Sequence, residues 1–307
     1  MKKIFLALIL SAISCLKFNN DIPSMSFIDP TGNEKYLLME SDYIFDQNIL
    51  HEFQLIIPEI SYKMINDNPT KEEYIEGALI FEGDTISPIG IRYKGSIGAF
   101  VGCTSGKNPF EPSGEKICKK LSMKVKIDWN GRKNKFYSLD KLQFHSQNND
   151  PSQLRERLGY WFFRSMGVAA PRSVHARLVI NGELSGLYAL TEQIDENFIR
   201  QNFDDTSGNL YKEVWPLTHR GIASPKNSII KALKTNKDIN TNIDIFQSFA
   251  KTMSEASSSQ AKEVITSFMD LEKIMSYIAV DRAIRNDDGV FHWYEFGQGA
   301  SNHNYYW

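Results

Sequence analysis

The sequence predicts an α+β fold in which strands gather early and helices follow. Three observations carry that prediction. Apolar and polar residues alternate through Ile89–Gly95 and again through Lys120–Asp128, the period of a half-buried strand. Asn181-Gly182 separates two apolar runs, the strongest short signal for a β-hairpin. The apolar residues of 150–166 and about 270–284 instead fall at helical spacing. Strands collected first and helices later, with no internal repeat, argue for two lobes and against a regularly alternating parallel sheet. The composition agrees: 42% of the 307 residues are hydrophobic, enough for a core and too much for a disordered chain. A net charge of −2 argues against a protein that coats nucleic acid.

The chain opens with Lys2 and Lys3, an apolar stretch Ile4–Ile13, small residues and Cys15. That order predicts a secretory signal over residues 1–15 and hence export. Ala12-Ile13-Ser14-Cys15 is similar to a bacterial lipoprotein box, with Ala12 where Leu is preferred, so Cys15 is a candidate lipid attachment point and membrane anchor. Residues 16–50 are polar, with a turn at Asp29-Pro30-Thr31-Gly32, and read as a linker. Strands are expected at Phe53–Ile57, Gly77–Glu82 and Pro88–Tyr93, the last ending at a glycine turn. A Gly/Pro/Ser-rich excursion, Gly102–Lys120, carries Cys103 and Cys118. In an oxidising compartment a disulfide between them would stabilise by about 3 kcal/mol. Without nearby histidines, these two cysteines do not read as a zinc site.

Asn130-Gly131 predicts a tight turn after the lysine-bearing strand 120–128. Asp150 is then the candidate N-cap of a helix with Pro151 at its first position and Leu154, Leu158, Trp161 and Phe162 at helical spacing. Met166-Gly167 ends it, with Pro171 just beyond. Strands Val174–Ile180 and Leu184–Leu190 follow. Residues 215–262 are polar, with weak helical patterning, and the helix near Asp270–Ile284 breaks at Arg285-Asn286-Asp287-Asp288-Gly289. The domain expectation is an N-lobe-like region over 51–195 and a partial C-lobe-like region over 196–307.

This order of parts suits phosphoryl transfer. A flexible turn can cover phosphates, a strand lysine can pair with them, a helix acid can hold that lysine, and across a cleft an Asp orients the nucleophile. Lys124 is the candidate phosphate-pairing lysine, with Lys94 and Lys120 as rivals. Glu156 lies in the first turns of the following helix. Glu192, in Thr191–Asp195, sits where a hinge between lobes would lie, and Asp288 follows a helix in a polar loop. The plain alternatives are a solvated strand face for the lysines, a surface ion pair for Glu156, and a simple turn at Asp288. His145 reads as a loop residue with local hydrogen bonds. His292 and His303 flank an aromatic group that reads as packing. There is no P-loop and no serine nucleophile elbow.

Phe144–Leu158, Met166–Arg172, Val179–Asp195, Gly208–Lys212 and Val280–Gly289 together resemble the CotH family, spore coat protein H and its relatives, over roughly 50–307. The resemblance implies an atypical protein-kinase fold and transfer of the ATP γ-phosphate, with Mg²⁺, to Ser or Thr of a protein substrate. The family's Asn-Trp-Asp-Gly motif matches Asn286–Gly289, with Asp287 in place of Trp, and puts its essential Asp at Asp288. A downstream family Asn, implied to help hold Mg²⁺, matches Asn304. A further Trp-Asp-x-Asp segment, whose first Asp binds metal in the family, is absent before Trp307. Two functions are therefore expected: an exported Ser/Thr protein kinase using ATP and Mg²⁺, or a truncated, inactive surface-binding protein of adhesin or invasin type.

Overall fold

The computed structural model describes residues 40–218, 220–237, 243–296 and 299–307. The expected signal segment, Cys15 and most of the expected linker lie outside the described residues. Seven strands close into a barrel: β1 (His51–Ile56), β2 (Ile75–Phe81), β3 (Asp84–Tyr93), β4 (Met123–Lys126), β5 (Lys141–His145), β6 (Ser173–Ile180) and β7 (Glu183–Thr191). Their order is β1-β2-β3-β4-β5-β7-β6, and β6 returns to β1. That closing pair is parallel, while every other neighbour is antiparallel. Closure leaves the barrel without an edge on which another strand could template.

Alternation decides which side chains fill the barrel. Phe53 and Leu55, Leu79 and Phe81, Ile89, Ile91 and Tyr93, then Met123 and Val125, are all buried. Their aromatic members interlock. Phe53 stacks on Phe81 at 4.9 Å between centroids and meets Phe144 edge-on at 5.3 Å. The end of the expected linker belongs to this core, because Ile44 and Phe45 are buried in it. That segment is also tied down, since Arg157 donates to Gln47 Oε1 at 2.9 Å and to the Gln47 carbonyl at 2.7 Å.

Around the barrel are α1 (Glu59–Asp67) and the short α2 (Ile97–Phe100), and α3 (Arg155–Ser165) connects β5 to β6. After the barrel come α4 (Glu196–Asn202), α5 (Lys226–Ala232), α6 (Asp244–Glu255), α7 (Ala261–Phe268) and α8 (Leu271–Ala283), then a two-stranded ribbon, β8 (Tyr294–Phe296) and β9 (Gly299–Ser301). The α+β class and its early-strand, late-helix order are therefore present. The polar stretch 215–262 is more regular than its composition suggests: α6 buries Phe246, Phe249 and Ala250 on one face. No helix among the described residues is long and apolar enough to cross a membrane.

Three local expectations change. Asn130 and Gly131 do adopt the left-handed conformation of a tight turn, yet β4 and β5 pair Met123 with Phe144, so residues 127–140 form a long connection and not a two-residue hairpin. Asp150 does not begin α3. It anchors a preceding turn, accepting from Ser152 N at 3.0 Å and Ser152 Oγ at 2.6 Å, and then reaches the first helical amide, Arg155 N, at 2.8 Å. Pro151 sits in that turn. Leu158 and Trp161, at core spacing in sequence, are 52% and 55% exposed and face the cleft described below. Asn181-Gly182 makes the expected β6–β7 hairpin, and the Asn181 side chain also clamps Ile57 through N–H and C=O.

Candidate functional site

A broad cleft runs between the barrel and the residues that follow it. Its walls include Lys94, Lys124, Glu156 and Glu192 from the first part of the chain and Lys212, Asp288 and Asn304 from the second. The strand order explains the lysines. Lys94 directly follows β3 and Lys124 lies in β4, and the two strands pair antiparallel with Arg92 opposite Lys124. Lys94 continues that edge with a backbone bond to Ser122 of 2.9 Å. Between the two, the chain makes a glycine turn. Gly95 has φ +157°, and a Cβ there would lie 2.3 Å from the Ala99 Cβ, so a larger residue has no room. The Gly95 amide donates to Glu72 at 2.6 Å, and Gly95, Ser96 and Gly98 all line the cleft.

Lys94 Nζ donates to Gln143 Oε1 at 2.8 Å and to His145 Nε2 at 2.7 Å. Lys124 Nζ donates to Gln193 Oε1 at 2.8 Å. These partners carry no negative charge. Burial pushes Lys94 down to about 8, against Glu156, and the nearby charges of Lys212 and Arg92 push the same way. Burial also lowers Lys124 to about 8, reinforced by Lys94, Lys141 and Arg92. Both sites strip water from an ammonium and give it no carboxylate in direct contact. Glu156 and Glu72 near Lys94, and Asp195 near Lys124, offset only part of the burial cost, which favours an incoming anion.

Lys120, the other rival, is used elsewhere. It donates to the Leu187 carbonyl at 2.6 Å and lies over the Tyr188 ring, outside the cleft lining. Glu156 accepts from His145 Nδ1 at 2.5 Å and from Thr191 Oγ1 at 2.7 Å, so its reach is toward Lys94 through the histidine. Burial would raise its pKa, but His145, Thr191 and Lys94 outweigh burial and hold it below the usual carboxylate range. Glu192 is nearly inaccessible, and Arg172 occupies both its oxygens, at 2.6 Å and 3.2 Å. Its carboxylate fastens the start of β6 to the end of β7. Arg155 stays 75% exposed beside Asp150.

On the other side, Asp288 and Asn304, 16 positions apart, come together. Asn304 Nδ2 donates to the Asp288 carboxylate at 2.8 Å and to its carbonyl at 2.7 Å, and Tyr294 OH donates to Asp288 Oδ1 at 2.8 Å. Asn304 itself is held by its amide on Glu213 Oε1 at 3.1 Å. The loop presenting Asp288 has a buried brace that the sequence reading did not single out: Asp281. Its side chain accepts from Arg282 Nε at 2.9 Å and Asn286 Nδ2 at 2.9 Å, and its carbonyl accepts from Asn286 N at 3.0 Å. Gly289 fits against that brace, where a Cβ would sit 2.3 Å from Asn286 Nδ2 and 2.8 Å from Asp281 Oδ1. An Asp on the inner face of a helix last turn, five residues before an Asn, was the available signal. His145, expected as a loop residue with local hydrogen bonds, instead ends β5 and bonds to Lys94 and Glu156, because a single histidine beside polar residues carries no pattern that reveals distant partners.

Away from the cleft floor, Cys103 and Cys118 are joined by a disulfide. The aromatic residues near the C-terminal end pack on one another: Trp215 lies 5.5 Å from Trp307, 6.0 Å from Tyr305 and 6.1 Å from Trp293 between ring centroids.

Comparison with known proteins agrees with these motifs. The chain is 24% identical over 164 residues to the inner spore coat protein H of Bacillus subtilis (strain 168), covering 52% of this chain and 45% of that protein. It is 43% identical over 47 residues to an inner spore coat protein H-like protein of the same organism, 15% of each. The matched stretches thus span less than half the length of these curated relatives. The family model described as CotH kinase protein matches residues 91–307, taking in Lys94, Lys124, Glu156, Asp288 and Asn304, and the chain belongs to that family.

Proposed function

We propose that this chain is an exported protein kinase that transfers the γ-phosphate of ATP to Ser or Thr of a protein. The barrel side and the helical side would be its two lobes, with nucleotide between them. The observation that carries this reading is the pair of buried lysines, Lys94 and Lys124, whose direct hydrogen-bond partners carry no negative charge, in one cleft with Asp288. Such a pair suits a polyphosphate better than a solvated strand face does, because a solvated lysine keeps its ordinary pKa. The Gly95–Gly98 turn lies beside it, where a close-fitting backbone can approach phosphate oxygens.

The family implies magnesium, and the donor chemistry fits. Magnesium is held by hard oxygens, through one or two carboxylates plus substrate phosphates. Asn304 spends its Nδ2 on Asp288, which leaves its amide oxygen as a donor of that kind. No group of three or more His, Cys, Asp or Glu among the described residues could hold a metal alone, so the phosphates would complete the set. Bound magnesium would offset phosphate charge. Asp288 would orient the attacking hydroxyl and take up its proton, and Tyr294 and Asn304 would fix the direction of that carboxylate.

In the full-length protein, ATP with magnesium should raise the melting temperature, because a ligand that binds only the folded state stabilises it. Asp288→Asn should keep that shift and lower labelled-phosphate transfer to casein or a co-encoded protein by about a hundredfold or more. Unchanged transfer would remove the role given to Asp288. Absence of both shift and transfer would favour the surface-binding alternative.

A further inference from the structure

Lys94 and Glu156 lie on one face of the cleft without touching, and His145 stands between them. The ring's Nε2 receives Lys94 Nζ at 2.7 Å, and its Nδ1 meets Glu156 Oε1 at 2.5 Å. An ammonium can only donate, so Nε2 must carry the lone pair, Nδ1 the hydrogen, and the ring must be neutral for both contacts to form. We infer that His145 is a positioning residue that carries the hold of Glu156 to Lys94 while keeping the carboxylate out of direct contact, so that the ammonium can pair with an anionic ligand.

The inference rests on the nucleotide reading above and deepens it. A direct lysine–carboxylate pair would also fix Lys94, but would cancel much of its charge before any ligand arrived. A neutral imidazole fixes it and cancels nothing. The groups whose charge bears on Lys94 come from several elements: Glu156 on α3, Glu72 after α1, Arg92 on β3, Lys124 on β4 and Lys212 beyond the barrel. Three of these five are cations, so an anionic ligand entering here meets a net positive wall. The far end of the relay is fixed as well, since Thr191 of β7 donates to the same Glu156 oxygen at 2.7 Å.

Three variants of the full chain test this. Glutamine can accept from Lys94 and donate to Glu156 as the neutral ring does. His145→Gln should therefore bind ATP within about threefold of the wild type, whereas His145→Ala should weaken binding about tenfold, the scale of one lost hydrogen bond. His145→Glu supplies a carboxylate and should raise the titration of Lys94 toward the ordinary lysine range, yet weaken ATP binding. NMR of carbon-labelled lysines in the ligand-free protein, with Lys94 assigned through Lys94→Arg, reads the titration without nucleotide. It should stay near the wild-type midpoint in His145→Gln, fall in His145→Ala and rise in His145→Glu. Folded variants, checked by circular dichroism, in which glutamine is no better than alanine, or in which glutamate binds ATP as well as histidine, overturn the inference. If Lys94 titrates as described but no form binds ATP, the nucleotide reading fails and the positioning role stands.

Discussion

Lys94 and Lys124 carry a cost in the empty protein that a ligand can relieve. Both are lowered to about 8 from an ordinary value near 10.5. Between those values the unfolded chain binds more protons than the folded one, so these two lysines make stability rise with pH there. Below about 8 both states are protonated and the full burial penalty remains. An anionic ligand responds in the opposite direction, because it needs the ammonium form. Affinity for ATP should therefore fall as pH passes about 8, where a solvated lysine would hold it to beyond 10. Calorimetric titration from pH 7 to 10, set against urea denaturation of the ligand-free protein over the same range, should show affinity falling while stability climbs. Two flat profiles would mean that neither lysine is desolvated. The residues of this wall were only partly legible in sequence. Alternation placed Lys124 and Lys94 on strands, but which lysine Glu156 serves depends on β5 bringing His145 beside α3, a contact between residues 11 apart in a loop-rich stretch.

Elements whose signals are local match the structure, and those that depend on distant partners depart from it. Asn181-Gly182 needs only its own backbone to make a hairpin. The α8 N-cap is likewise local: Asp270 accepts from Lys273 N at 3.1 Å. By contrast, Asp150-Pro151 has every mark of a helix start, yet Asp150 first closes a turn with Ser152, and the helix begins at Arg155. A cap residue and a turn residue use the same side-chain oxygen, so sequence alone does not separate them. Asp150 is only 8% exposed and satisfies three donors at 2.6–3.0 Å. Asp150→Ala should cost about 1–2 kcal/mol in urea denaturation, the range for a lost cap. Because Arg155 N directly precedes Glu156, the same change should loosen the Glu156–His145–Lys94 relay and weaken ATP binding. A stability loss with unaltered affinity would show that the relay does not depend on the start of α3.

At the scale of the molecule, the barrel explains how a half-exposed strand face became a cleft wall. Seven strands closed through the parallel β1–β6 pair commit one face of each strand to the core and turn the face of β3 and β4 that carries Arg92 and Lys124, and leads on to Lys94, toward the cleft. The class and the order of these parts are legible in the sequence but the closure is not, since β1 and β6 are separated by more than a hundred residues and their pairing leaves no local trace. Residues 40–50 are polar on average and so resemble a linker in sequence, although Ile44 and Phe45 are buried. The longest excursion from the barrel leaves after Lys94 and returns before Lys124, and the Cys103–Cys118 disulfide closes it with a sequence separation of 15. Cross-linking a loop of that size restricts the unfolded chain by about 3 kcal/mol in the chain-entropy account. Converting both cysteines to serine should lower the unfolding free energy by roughly that amount. The excursion's α2 and glycine turn border the cleft, so the double variant should also bind ATP more weakly than the wild type at temperatures where both are fully folded. Urea denaturation and calorimetric binding separate the two effects: a stability loss with unchanged affinity would confine the disulfide to the unfolded state, whereas loss of both would show that it also holds the turn in place over the site.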